Sequence, residues 1–157
     1  MTSTSPLAGF VVVELGHNVA GPVGGQILAE LGAKVVKVED PGKGDAARHW
    51  PPVVAGDSVV YRSLNRSKAG VTVDFNDAGE LDDLKRLIRE EADVVLQNLR
   101  PGVVKKYGLD AASLRAEKPA LVYCNIEAYG SVGPMAGKPG YDVLMQGYAG
   151  LMSVQGE

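Results

Sequence analysis

At 157 residues, 45% of them apolar, the chain is the length of one domain that buries a core of its own. A formal charge of −3 and 6% aromatic residues give neither the basic footprint nor the stacking platforms of a nucleic-acid binder. No apolar run approaches the ~20 residues of a membrane span, and the first eight residues have neither a basic start nor an apolar stretch, so a cytoplasmic protein without a membrane partner is expected.

Residues 1–8 are small and polar, the composition of a flexible lead-in to a domain over residues 9–157. Two β-branched runs, 10–13 and 35–38, predict strands buried on both faces, and between them Val23, Ile27, Leu28 and Leu31 share one helical face. The resulting βαβ unit puts its first turn at the carboxyl end of the sheet, where open α/β folds bind ligands. Residues 41–52 hold three prolines and two glycines, and a loop of that length inside a domain is commonly functional. Residues 58–64 fit a short helix and a strand equally well, whereas 71–74 alternate as a strand does. Asn76 or Asp77 caps the next helix with Glu80 as reciprocal partner; Leu81, Leu84, Leu87 and Ile88 form its buried stripe, and Asp82 pairs with Arg86 outside.

Residues 93–96 predict a strand running into the turn 97–102. A short helix over 103–107 ends at Gly108, and Asp110 caps another that turns Leu114 inward and stops at Pro119. Residues 120–126 predict a further buried strand, with Cys124 as a buried structural thiol. Glycines and prolines between 130 and 140 make a long loop, and 141–152 have helical spacing. Strand and helix alternate throughout, which predicts an α/β fold: a Rossmann-like, doubly wound, mostly parallel sheet.

Three turns carry chemistry. Gly21, Gly24 and Gly25 suit either close packing or a phosphate at a helix N-terminus, with Pro22 preset for the first helical position; no window from Gly16 to Gly25 fits the dinucleotide fingerprint G-x-G-x-x-G. Glu39 and Asp40 stand where a dinucleotide fold holds a ribose. After the 93–96 strand, Asn98, Arg100, Lys105 and Lys106 suit either phosphate oxygens or a solvated basic patch. Asp142, between residues 139–141 and an apolar helix, reads as a helix cap. Neither His17 nor His49 has ligand-spaced partners, so no metal is expected.

Several segments occur together in order: Pro6-Leu7-Ala8-Gly9, Ala20-Gly21-Pro22, Leu31-Gly32-Ala33-Lys34, Pro41-Gly42-Lys43-Gly44-Asp45, Leu64-Asn65-Arg66-Ser67-Lys68, Asn98-Leu99-Arg100-Pro101-Gly102, and Gly133-Pro134 through Pro139-Gly140-Tyr141-Asp142. With these the chain resembles the N-terminal portion of the family III CoA-transferases, the superfamily of formyl-CoA transferase, carnitine CoA-transferases and α-methylacyl-CoA racemase. The resemblance implies coenzyme A as the ligand, carried as an acyl-CoA substrate. Asn18, Val19 and Ala20 then lie near the thioester end, and Val73, Asp74, Phe75 and Asn76 line the adenosine end. Asn98, Leu99, Arg100 and Lys106 are further CoA contacts. Many members carry Arg where this chain has Asp40.

The family nucleophile is an Asp that attacks the thioester, giving a mixed anhydride and then an enzyme-bound thioester that passes CoA to an acid. By the resemblance it lies beyond Glu157, so the CoA-binding domain is expected to be incomplete at its C-terminus and the chain inactive alone. The family assembles as an interlocked homodimer. An acyl-CoA racemase or epimerase fragment, and a non-catalytic CoA-binding module completed by a partner chain, are the alternatives; Tyr141 favours transfer, since racemases of the superfamily typically place His immediately before the Asp that stands here as Asp142.

Overall fold

The computed structural model describes residues 5–156. In chain order it runs β1 (Val11–Leu15), α1 (Ala20–Glu30), β2 (Lys34–Glu39), a 3-10 turn (Ala46–His49), the hairpin strands β3 (Val53–Val54) and β4 (Asp57–Ser58), α2 (Val59–Leu64), β5 (Lys68–Thr72), α3 (Ala78–Glu90), β6 (Val94–Gln97), α4 (Val103–Lys106), α5 (Ala111–Glu117), β7 (Val122–Asn125), α6 (Asp142–Tyr148) and a closing 3-10 turn (Leu151–Val154). Five strands form one parallel sheet in the order β5-β2-β1-β6-β7. The order reverses between β1 and β6, so the turns after these two strands flank the crevice where doubly wound folds place ligands. The expected α/β architecture is the one observed.

β-Branched residues fill both faces of the central strands, as a sheet covered on both sides requires. On one face Val13, Leu15, Val38 and Val95 pack with Leu84 and Ile88 of α3, Val104 of α4 and Leu114 of α5. On the other, Val12, Val35 and Leu96 pack with Ala33 and Leu28. Each such side chain contributes roughly 1.5–3 kcal/mol when fully buried.

The face α1 covers is not wholly apolar. Glu14, Lys37 and Glu39 are buried there, and α1 meets them with Gly21, Pro22 and Gly25. Ile27 and Leu31, expected to face the core, are instead 53% and 41% exposed. The reason is steric: charged side chains standing up from the sheet leave room only for a glycine ridge, so the helix turns that ridge inward. Pro22 is the third residue of the helix rather than the first, still within the turn whose N–H groups have no helical partner.

Other expectations shift for local reasons. Residues 58–64 resolve as a hairpin strand followed by α2, capped by the Ser58 hydroxyl, which accepts the Tyr61 N–H. β5 begins at Lys68, because it pairs with β2 from Val35–Lys68 to Glu39–Thr72; Val73 and Asp74 lie past its end. Asp77 caps α3, but Glu80 accepts from the Asp74 N–H rather than closing back on the cap, and Arg86 pairs with Asp83 at 2.6 Å instead of Asp82. Asp110 caps α5 as expected.

Cys124 is exposed, not buried. β7 is an edge strand whose Tyr123 packs on the core, while Val122 and Cys124 point to the opposite, uncovered face. Of the lead-in, residues 1–4 lie outside the described residues; Leu7 donates its N–H to Leu31 O at 2.9 Å and packs on the α1 side. No helix among the described residues is long and apolar enough to cross a membrane.

Candidate functional site

The first turn, Gly16 to Val19, is built on a buried charge cluster. Glu14 of β1 stands in register beside Lys37 of β2, and their side chains pair at 3.1 Å. Asp45 pairs with the same ammonium at 3.0 Å. Lys68 of β5 reaches the second Glu14 oxygen at 2.7 Å and also donates to Pro22 O and to Asn65 Oδ1. Burial lowers the Lys68 pKa, and the Glu14 carboxylate opposes that shift. Two carboxylates and two ammonium groups balance, the condition under which buried charge is tolerated.

The glycines of α1 let the helix approach the sheet and the turns beside it, Gly25 over this cluster and Gly21 over Asn98. A Cβ on Gly25 would lie 1.8 Å from Glu14 Oε2, and one on Gly21 would lie 2.7 Å from Asn98 Oδ1. Of the two readings of this turn, its glycines therefore serve close packing of protein on protein.

A second cluster adjoins the first. Glu39, at the end of β2, accepts from Arg48 Nε at 2.7 Å, from the Tyr61 hydroxyl at 2.6 Å and from the Asp45 N–H at 2.9 Å. Burial disfavours its ionised form, but these bonds outweigh it and hold the carboxyl pKa at about 2. Glu39 is thus engaged with its own fold and offers no oxygen to a ribose.

Beside these turns a cavity of about 190 Å³ opens at the carboxyl edge of the sheet. Leu15, His17, Val38, Val73, Leu99 and Tyr107 are among its walls. The Phe75 and Tyr107 rings tilt at 60° with centroids 5.3 Å apart. Burial lowers the His17 pKa, with Asp45 pulling the other way, so the imidazole is neutral at neutral pH.

The cavity brings together Val73, Asp74, Phe75, Asn76 and Leu99 of the residues the sequence singled out. Lys106 lies at its rim: it donates to the Tyr107 hydroxyl at 3.0 Å and sits 4.7 Å above that ring, while the same hydroxyl donates to Asn76 Oδ1. Arg100 is exposed after β6 and donates to the Tyr141 hydroxyl at 2.7 Å, which joins the second turn to the third. Asn18, Val19 and Ala20 lead into α1, whose N-terminus has no side-chain cap and no acidic residue in its first turn. Asn98 does not face the cavity. Its amide closes on the first turn, accepting from His17 N at 2.8 Å and donating to His17 O at 3.0 Å.

Sequence reasoning missed Glu14, Lys37, Asp45 and Lys68. The signal was present: Lys37 interrupts one run expected to be buried on both faces and Glu14 directly follows the other, and a charge there demands a partner. Among the described residues no group of three or more His, Cys, Asp or Glu side chains is arranged to hold a metal ion.

The chain matches CoA-transferase family III over residues 7–157. It is 42% identical to succinate–glutarate CoA-transferase from Agrobacterium fabrum, over 97% of this chain and 40% of that protein. It is 35% identical to acetyl-CoA:oxalate CoA-transferase from Acetobacter aceti, over 96% of this chain and 39% of that protein. The crystal structure of a CAIB/BAIF family protein from Brucella suis superposes with a TM-score of 0.90 at 44% identity, covering 98% of this chain and 41% of that one. The chain spans about 40% of the length of the curated relatives it matches. With the same sheet, the same turns and a match along nearly its whole length, this chain belongs to CoA-transferase family III.

Proposed function

We propose that residues 9–157 are the CoA-binding region of a CoA-transferase that moves CoA between an acyl-CoA and a carboxylic acid. The observation that carries the reading is the cavity at the carboxyl edge of β1, β2, β5 and β6, in which Val73, Asp74, Phe75, Asn76 and Leu99 converge. At about 190 Å³ it is smaller than the roughly 300–1,000 Å³ of a site for a whole drug-sized ligand, which suits one end of an extended molecule.

Its chemistry fits a purine. Phe75 and Tyr107 offer ring faces, and Asp74 and Asn76 offer polar atoms at the edge. Lys106 at the rim and Arg100 one turn away are cations for phosphate oxygens. Asn18, Val19 and Ala20, at the uncapped N-terminus of α1, take the thioester end. Asn98 acts through the turn it holds rather than by touching ligand.

Bound acyl-CoA supplies an activated carbonyl. On this reading the carboxylate nucleophile that the resemblance implies is not among these 157 residues. The Agrobacterium fabrum and Acetobacter aceti relatives are CoA-transferases, which favours transfer over racemisation. A transfer assay with a panel of acyl-CoA donors and dicarboxylic acids is expected to show no turnover by the 157-residue chain alone, and CoA is expected to bind while NAD does not. Robust turnover by the isolated chain, or NAD binding as tightly as CoA, contradicts the reading.

A further inference from the structure

We infer that Lys37 and Asp45 are positioning residues of the ligand site: with Asn98 they hold the turn Gly16-His17-Asn18 in one conformation before ligand arrives. The inference rests on the CoA-binding reading for what the turn meets, though not for how the turn is held.

Three consecutive residues are each tied by a side chain from a different part of the fold. Lys37 Nζ, from β2, donates to Gly16 O at 2.7 Å. Asn98, from the end of β6, brackets the His17 peptide through both of its amide atoms. Asp45 Oδ1, from the cap of the 3-10 turn, accepts the Asn18 N–H at 2.9 Å and the Ala47 N–H at 3.0 Å. Asn18 has φ of 62°, the left-handed region that Asn tolerates better than other non-glycine residues, and the hydrogen bonds from the His17 and Asn18 N–H groups to Asn98 and Asp45 hold it there.

The charges behind these tethers follow from them. Lys37 is 1% exposed, and Glu14 and Asp45 are fully buried; the two carboxylates flank the Lys37 Nζ where it meets Gly16 O. Apolar residues of similar volume would serve cohesion as well or better. What they cannot supply is a donor aimed at Gly16 O and an acceptor aimed at the Asn18 N–H of one turn. His17 lines the cavity and Asn18 leads to the uncapped start of α1, so a turn held beforehand spares the ligand the cost of ordering it.

The test compares the wild-type chain with Asp45→Ala, Asp45→Asn and Leu114→Ala, the last a core substitution remote from the turn. CoA affinity is measured by calorimetry where each variant is folded by circular dichroism, and amide exchange is followed in the ligand-free chain. Asp45→Ala is expected to expose the Asn18 amide to exchange and weaken CoA binding at least 10-fold. Asp45→Asn, which retains an acceptor oxygen, is expected to recover most of both, and Leu114→Ala to lose stability while keeping Kd within about twofold. Wild-type affinity in folded Asp45→Ala, or an equal loss in Leu114→Ala, overturns the inference. Should Asp45→Ala not fold, wild-type exchange decides: His17 and Asn18 amides as protected as β1 support it, and exchange at loop rates overturns it. Absence of CoA binding by the wild type removes the functional reading, and the same exchange data then decide whether the turn is held.

Discussion

Gly25 has no room for a side chain, because Glu14 Oε2 occupies the place of its Cβ. Gly25→Ala must therefore push the carboxylate off Lys68 or lift α1 from the sheet. A loss of at least about 3 kcal/mol is expected by denaturant unfolding, the scale of overpacking combined with a broken buried ion pair. Lys37→Met leaves Glu14 and Asp45 facing each other without their shared partner and is expected to cost about 3–5 kcal/mol; a change under 1 kcal/mol would show that the pairs Lys37 makes do not hold the fold.

Acid acts through Glu39 and His17. The Glu39 pKa is depressed to about 2 in the folded chain, so its stabilisation is complete above the ordinary carboxyl value of 4.5 and is lost as pH falls from there toward 2. The His17 pKa is also depressed, so the unfolded chain takes up this proton first and stability begins to decline as pH drops below about 6.5. Thermal unfolding across pH 3–8 should show both windows. Glu39→Gln should flatten the lower one, and an unchanged profile in that variant contradicts the assignment.

Elements were legible where one period dominated. The α3 stripe and the cap at Asp110 follow from spacing alone, whereas spacing left Asn76 and Asp77 open as the α3 cap and the structure selects Asp77; Asp77→Ala is expected to cost about 1 kcal/mol, read from the shift in Tm. α1 was legible as a helix but not in its rotation: Ile27 and Leu31 carry the apolar signal, whereas the buried ridge is glycine and proline, which a hydrophobic count does not weigh. The start of β5 was hidden because Lys68 reads as a loop charge until Glu14 is known to face it. β7 looked like a central strand because its apolar residues do not reveal that the sheet ends there.

For the molecule, the alternation of strand and helix was enough to give a doubly wound sheet, and the motifs after β1, β2 and β6 were enough to suggest the family. The tertiary roles of the conspicuous residues were less legible: Asn98 bonds the first turn, and Arg100 bonds Tyr141 across a sequence gap that no local pattern spans. α6 and the closing 3-10 turn bury none of their own residues, and the chain spans about 40% of its curated relatives.

A calorimetric titration of the 157-residue chain with CoA, repeated with Arg100→Ala and Phe75→Ala, tests the CoA site most directly. Saturable binding at one site per chain is predicted, weakened about 10-fold or more by removing the Arg100 guanidinium and by removing the Phe75 ring. Absence of binding at millimolar CoA, or binding that neither substitution alters, would contradict the placement of CoA at this edge of the sheet.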